Sequence, residues 1–356
     1  MKILQVSSAS YTVGGGISEY VRNVSERLAK KHEVVVFGVN TKNLPSLEVV
    51  NGVTIRRFRC FAPGNAFYLP LAMPIKLLKE KADVVHGYQY HAIPMHLAPL
   101  ANSKRFYVSP SFHGSGHTPL RNHLLRLLKP IGARTLQSAD SIFAASEYEK
   151  MLLVKELNVK PSRISVIPRG IDFSEFRSLK KHEKGYKSIL YVGRLIDYKG
   201  VQHLVEVLPK LSEDISLEIV GKGPLRKGLE ERAKRLNVGQ RVKFYQDVKR
   251  TRLIQMYADA DVFVLPSKFE AYSKVVAEAL AARTPCIVAN TSALTEWIDN
   301  EVCYGVDLPV NLDDLASLIQ GVLEKRINKD SFGREFSKKI IDWDEVVLRL
   351  EHSYNI

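Results

Sequence analysis

Strand-length apolar runs alternate with amphipathic helical stretches along nearly the whole chain, and the alternation starts twice. Lys2–Val6 reads as the first strand. The loop Ser7–Gly16 then leads into a helix from Ile17 to Lys30, whose Ile17, Tyr20, Val21, Val24 and Leu28 share one face. Strands are expected at His32–Phe37, Val53–Phe58, Asp83–His86, Phe106–Ser109 and Ser141–Ala144. The helix Ser146–Leu157 and the strand Ile164–Ile167 come next. A polar stretch, Leu179–Tyr186, reads as a linker, and the pattern restarts with a strand at Ser188–Val192. Helices at Val201–Leu211, Pro224–Leu236 and Arg252–Tyr257 then alternate with strands at Leu217–Val220, Val242–Phe244 and Val262–Leu265. Such alternation predicts an α/β fold of two Rossmann-like, doubly wound parallel-sheet domains facing across a cleft. Ligands are expected at strand carboxyl ends.

Composition bounds the class. With 356 residues, 45% of them hydrophobic, the chain can bury two cores. The three cysteines, Cys60, Cys286 and Cys303, lack metal-ligand spacing and read as reduced core residues. The opening MKILQVSSAS is too short an apolar run for a signal peptide, and no run approaches the ~18 apolar residues of a membrane span. A soluble protein of the cytoplasm is expected. The net charge of +14 is lopsided: residues 1–170 hold 23 Lys/Arg against 10 Asp/Glu, and residues 171–356 hold 29 against 28. A basic first half suits an anionic partner, and a membrane surface is the leading one. Nucleic acid is not expected, because no recognition module and little aromatic–basic interleaving is present.

The segment Asp259–Val288 carries the sharpest chemical signal. The strand Val262–Leu265 ends in Pro266, and the loop after it delivers Glu270. A helix beginning near Ser273 delivers Glu278, eight positions later. The start of that helix, Ser273, Lys274 and Val275, offers backbone N–H groups to an anion. Two acids flanking an anion site suit sugar hydroxyls beside a diphosphate; two solvated glutamates are the plain alternative. Arg194 and Lys199, in GRLIDYKG, come after a strand and can neutralise phosphate oxygens. Gly14, Gly15 and Gly16 close the first loop where backbone can approach a ligand. G-x-G-x-x-G is absent, and the second strand lacks the acid that would hold an adenosine ribose. His113 stands in a Gly/Ser loop beyond a strand, either structural or beside a sugar. His86 reads as a satisfied strand-end histidine. The Arg121–Gln137 helix reads as a solvated basic face interrupted by Pro130, with an anionic bilayer as its alternative partner. No close-set Asp-x-Asp, Cys/His spacing, Walker loop or G-x-S-x-G elbow is present, so no metal or cofactor is expected.

Taken in order, SEYEKMLL, IPRGID, YVGRLIDYKG, EIVGKGPL, RVKFYQDV, YADADVFVLPS and FEAYSKVVAEALAARTPCIV resemble the GT-B glycosyltransferases of family 4, also called group 1. The resemblance runs from the first strand to the last helix. It implies an N-terminal acceptor-side domain, 1–170, with a terminal helix, 336–356, returning to it. It also implies a nucleotide-sugar-binding domain at 171–335. By this resemblance Glu278 holds the donor ribose and Glu270 the hydroxyls of the donor sugar. Arg194 and Lys199 neutralise the diphosphate, and Ser273, Lys274 and Val275 supply N–H groups to it. Gly15 and Gly16 close on phosphate and acceptor, and His113 lies beside the transferred sugar, which with Glu270 makes the catalytic pair. Arg169, Gln246 and Arg283 stand where the family usually has Asn, Gly and Gly, and Ser292-Ala293 stands near a usual glycine pair.

The expected function is retaining, metal-independent transfer of a sugar from a nucleotide-sugar donor. The expected acceptor is a lipid or a lipid-linked or cell-surface glycan, reached by peripheral association with the inner face of the membrane. A nucleotide-sugar 2-epimerase-like enzyme and a non-catalytic nucleotide-sugar-binding subunit are the alternatives.

Overall fold

A computed structural model describes residues 1–12, 15–41, 43–62, 68–114, 119–325, 332 and 339–355, with backbone only at 119–121. Gly14, Ser115–His117 and the Phe336 end of the expected last helix lie outside these residues. Chain contacts divide the protein into two compact units, Met1–Gly170 with Ile341–Ile356, and Ile171–Ile340.

The first unit is built on eight strands: β1 (Lys2–Val6), β2 (Glu33–Asn40), β3 (Leu47–Val50), β4 (Val53–Arg59), β5 (Lys81–Tyr88), β6 (Asn102–Ser109), β7 (Ser141–Ala144) and β8 (Ile164–Val166). Their order is β3-β4-β2-β1-β5-β6-β7-β8, parallel throughout except that β3 runs antiparallel to β4. The helices α1 (Gly16–Leu28), α2 (Met73–Leu77), α3 (Ile93–Leu97), α4 (Pro119–Ser138) and α5 (Glu147–Leu157) connect them. Strands covered on both faces need continuous apolar runs, and Val34–Val36 of β2 and Val84–Val85 of β5, which flank β1, supply them. The edge strand β3 escaped the sequence reading because it is only four residues long and none of them is buried.

Strands of the second unit are β9 (Lys187–Val192), β10 (Ile215–Val220), β11 (Val242–Tyr245), β12 (Val262–Leu265), β13 (Cys286–Ala289) and β14 (Cys303–Val306). They form one parallel sheet in the order β11-β10-β9-β12-β13-β14. The order reverses direction between β9 and β12, which opens a crevice at their carboxyl ends. Helices α6 (Val201–Val207), α7 (Arg226–Arg235), α8 (Arg250–Asp259), α9 (Lys274–Ala281) and α10 (Leu312–Glu324) complete the unit. Three expectations are corrected here. The helix from Val201 stops at Val207 because Pro209 tightens Leu208–Lys210 into a 3-10 turn. Leu179–Tyr186 is no free linker: it lies inside the second unit, where Lys181 Nζ reaches Asp261 at 2.6 Å and the His182 N–H reaches Asp259 at 2.9 Å. Pro130 does not interrupt α4, which runs on for 20 residues. It lies on the exposed side, where water can take up the carbonyl left unpaired.

The terminal helix α11 (Trp343–Tyr354) belongs to the first unit. It starts later than residue 336. The Asp342 side chain accepts from Asp344 N–H at 2.9 Å and fixes its first turn. Trp343 packs edge-on against Tyr20 of α1, with ring centroids 5.6 Å apart. A side chain at Gly170 would strike the Trp343 ring, so glycine is required where that chain passes. At the other end, Tyr354 Oη lies 2.6 Å from His86 Nδ1, and His86 Nε2 is 2.9 Å from Ser109 Oγ. Burial pushes the His86 imidazole down to about 3, so it is a neutral core group with both nitrogens engaged.

Candidate active site

The donor-side candidates gather at the carboxyl edge of the second sheet. β9 ends at Val192 and is followed by Gly193 and Arg194, and a single 3-10 turn, Asp197–Lys199, carries Lys199. β12 ends at Leu265, and its loop carries Glu270 before α9 begins. The two loops are joined. The Lys268 N–H donates to the Tyr198 carbonyl at 2.8 Å, and Lys199 Nζ donates to Glu270 Oε1. Arg194 is exposed and donates to the Tyr198 hydroxyl. The tight approach has a sequence cause. Gly200, at φ 73, passes so close to Pro266 that an added Cβ would sit 2.2 Å from its carbonyl oxygen.

Ser273 occupies the cap position of α9 in the left-handed region, with φ 74. It is 7% exposed, and among the described residues its hydroxyl has no hydrogen-bond partner. A buried hydroxyl without a partner costs about 1–3 kcal/mol unless something else satisfies it. It stands at a helix N-terminus, where first-turn N–H groups have no intrahelical acceptors and the dipole favours an anion. The start of α9, at Ser273, Lys274 and Val275, is thus a candidate anion site, with Lys199 and Arg194 on the loop after β9.

Glu278 lies one helical turn beyond and is 2% exposed. Lys274 Nζ reaches its Oε1 at 3.1 Å, Arg250 at 2.6 Å, and the Tyr257 hydroxyl donates to Oε2 at 3.1 Å. Arg250 also grips Glu175 at 2.7 Å. Burial opposes the charge of Arg250, yet its bonds to Glu175 and Glu278 raise its pKa above the usual range. Sequence reasoning missed Arg250, Tyr257 and Glu175. Their partners lie 28, 21 and 75 positions away, and no local pattern marks such pairs.

Gly15, Gly16 and His113 lie in the first unit, at the carboxyl edge of its sheet. Gly15 caps α1 with φ 136, and a Cβ on Gly15 or Gly16 would meet nothing within 4 Å among the described residues. The backbone there faces open space, and an L side chain at Gly15 would be strained. His113 lies beyond β6 and stacks on His91, with ring centroids 4.3 Å apart and planes 19° apart. Among the described residues no group of three or more His, Cys, Asp or Glu is arranged to hold a metal ion.

Residues 172–339 match the family described as "Glycosyl transferases group 1", and residues 14–175 match "Glycosyltransferase Family 4". The chain belongs to this glycosyltransferase family. An uncharacterized glycosyltransferase of Methanocaldococcus jannaschii is 26% identical, covering 96% of this chain and 94% of the relative. Among solved structures, sucrose-phosphate synthase from Thermosynechococcus elongatus superposes with a TM-score of 0.81 at 20% identity, covering 99% and 98% of the two chains. HepE of Anabaena, solved with UDP-glucose, gives 0.78 at 16% identity, covering 100% and 99%. These two likenesses establish the GT-B fold. The protein is a glycosyltransferase with two Rossmann-like units.

Proposed function

We propose that this glycosyltransferase moves a sugar from a nucleotide-sugar donor with retention of anomeric configuration and without a metal ion. The Lys199–Glu270 pair carries the reading. It sets a cation for phosphate directly beside a carboxylate for sugar hydroxyls, next to the α9 cap where the Ser273 hydroxyl stands unpartnered. Arg194, Lys199 and the start of α9 hold the diphosphate and stabilise the charge that develops on it as it leaves. Glu278, fixed by Arg250 and Tyr257, takes the ribose hydroxyls. Glu270 orients the sugar. The bond between the anomeric carbon and the phosphate oxygen breaks, and the acceptor oxygen bonds that carbon from the same face. The departing phosphate oxygen takes the acceptor's proton, so no separate base is required. The family resemblance assigns Gly15 and Gly16 of the first unit to phosphate and acceptor, and His113 to the sugar. A nucleotide sugar is favoured because HepE, of the same fold, holds UDP-glucose.

We assign the acceptor to the membrane surface, as a lipid or lipid-linked glycan. Among the described residues every exposed large apolar side chain except Leu236 belongs to the first unit, which is also the basic one. Leu71, Ile75 and Leu78 around α2, and Leu127 and Ile131 on α4, are exposed beside the exposed Lys76, Lys79, Arg126 and Lys129. Helix α3 packs against both α2 and α4. Apolar side chains interleaved with cations suit an anionic bilayer. No helix among the described residues is long and apolar enough to cross a membrane.

Thermal-shift titration with UDP, GDP and ADP and their sugar conjugates, with and without EDTA, tests the donor reading. Stabilisation by one nucleotide that EDTA leaves unchanged is expected. Stabilisation abolished by EDTA overturns metal independence, and no shift with any nucleotide on folded protein overturns the donor site.

A further inference from the structure

The turn that carries His113 is held by a buried carboxylate to which the transfer chemistry assigns no role. Glu149, on the first turn of α5, is 0% exposed. Its Oε1 accepts from the Phe112 N–H at 2.7 Å, and its Oε2 from the Ala145 N–H at 2.8 Å. One side chain thereby ties the loop after β6 to the loop after β7. Ser111, next to Phe112, sits in the left-handed region with φ 50, a conformation that costs roughly 1–2 kcal/mol and persists only where surroundings impose it. Arg169 is the second restraint. It donates to Ser111 Oγ at 2.7 Å, and its guanidinium lies 5.3 Å from the Tyr20 ring centre on α1, the helix that starts at the glycine loop. Phe112 is buried and stacks on His91, which in turn stacks on His113.

We propose that Glu149, assisted by Arg169, is a positioning residue: its buried carboxyl group imposes the turn at Ser111–Phe112 and thereby sets where His113 stands. The proposal rests on the reading of His113 as a sugar-side residue. Burial pushes the Glu149 carboxyl up to about 7, against the N–H bonds and Arg169, which favour its charge. The polar side chains that line the small cavity around it are Arg169, Ser109, Ser111 and the phenols of Tyr20 and Tyr88. Arg169 is the one cation among them, and both phenols are held above their ordinary range by burial, so neither titrates near neutrality. The folded turn therefore binds the Glu149 proton more tightly than an opened loop does, and the turn opens more readily as pH rises.

Glu149→Gln keeps the shape but turns an amide N–H₂ toward one of the two N–H donors. Hydrogen exchange of the full chain, read by mass spectrometry, reports the loop directly without any substrate. Exchange at least tenfold faster in peptides spanning 110–114, with second-unit strands unchanged, is expected. In wild type, loop protection corrected for intrinsic rates falls as pH rises from 6 to 8; Glu149→Gln removes that step. Turnover of the nucleotide sugar that stabilises the protein is expected to drop at least tenfold, with donor KM within twofold. Wild-type exchange in folded Glu149→Gln overturns the proposal. Faster exchange with unchanged turnover also overturns it, because the turn would then not set a residue that matters. Arg169→Met, which leaves Glu149 in place, must loosen the same peptide; should Glu149→Gln not fold, an unaltered loop in Arg169→Met refutes the pair. Loss of turnover with wild-type exchange overturns the positioning role while leaving the transferase reading intact.

Discussion

Removing Arg250 tests the architecture around Glu278 most directly. Arg250→Met keeps much of the stem and deletes the guanidinium that contacts Glu278 at 2.6 Å and Glu175 at 2.7 Å. Glu278, with a side chain 3% exposed, is left with Lys274 and the Tyr257 hydroxyl. Breaking a fully buried pair from one side costs about 3–5 kcal/mol. Arg250 itself is 34% exposed, so water already screens part of the interaction and roughly 1–3 kcal/mol is expected. Adding Glu278→Gln to Arg250→Met removes the stranded charge. The double variant should therefore be less destabilised than the sum of the singles, by about 1 kcal/mol or more. Urea unfolding reads this if one tryptophan reports on the second unit. The chain has two, Trp343 in the first unit and Trp297 in the second, where its indole N–H donates to the Tyr272 carbonyl at 2.7 Å. A Trp343→Phe background isolates Trp297. Additivity within about 0.5 kcal/mol would show that Arg250 and Glu278 are neighbours without being energetically coupled, and the reasoning would fail.

Four further outcomes are expected. Glu270→Gln keeps size and removes charge, and should lower turnover at least tenfold, about 1.4 kcal/mol of barrier; transfer near the wild-type rate would remove Glu270 from the site. Ser273→Gly relieves the positive φ of 74 and should change stability by no more than about 1 kcal/mol in the favourable direction, while calorimetry shows weaker binding of the nucleoside diphosphate. Unchanged affinity would mean that the unpartnered hydroxyl does not face phosphate. Co-sedimentation with phosphatidylglycerol vesicles should fall severalfold when Arg126 and Lys129 become glutamine, and further as salt rises; equal pelleting of both proteins would discard the membrane face. Glu149 also predicts a pH dependence of stability. Its folded-state pKa, about 7, is above the ordinary 4.5, so its contribution is complete below about 4.5 and is lost as pH rises through 7. The urea midpoint should fall more steeply from pH 5 to pH 8 in wild type than in Glu149→Gln, and parallel curves would contradict the shift.

Much of this fold can be read from local periodicity, because parallel strands covered on both faces must be apolar runs and the helices between them must show one apolar stripe. Val262–Leu265 was legible for that reason. Less visible was β14, Cys303–Val306, whose four residues include Tyr304 and Gly305. The helix α10 went unread although its Leu315, Ala316, Ile319 and Val322 are buried at helical spacing and Asn311 caps it. The site divides in the same way. Glu270, Ser273 and Glu278 sit on one strand–loop–helix segment, so their spacing exposes them. Arg250 and Tyr257 reach the same carboxylate from α8, and Glu149 reaches Phe112 across 37 positions. Those contacts arise when sheet order brings loops together, which a one-dimensional reading does not supply.

The bond between Lys199 and Glu270 looks at first like an obstacle, since each is assigned to a different part of the donor. Their side chains are 14% and 13% exposed, so neither charge is well hydrated. Two such groups standing alone would each cost free energy to desolvate; paired, they offset each other. The ammonium has three N–H donors and spends one on Oε1, which leaves two for phosphate oxygens. The carboxylate keeps its second oxygen for sugar hydroxyls. A donor that brings phosphate to one side and hydroxyls to the other therefore adds to the pair without breaking it. Lys199→Met should on this argument damage sugar positioning as well as phosphate binding: turnover falls more than the affinity for the free nucleoside diphosphate does. If both fell equally, Lys199 would be a phosphate ligand alone, and its pairing with Glu270 would have no catalytic consequence.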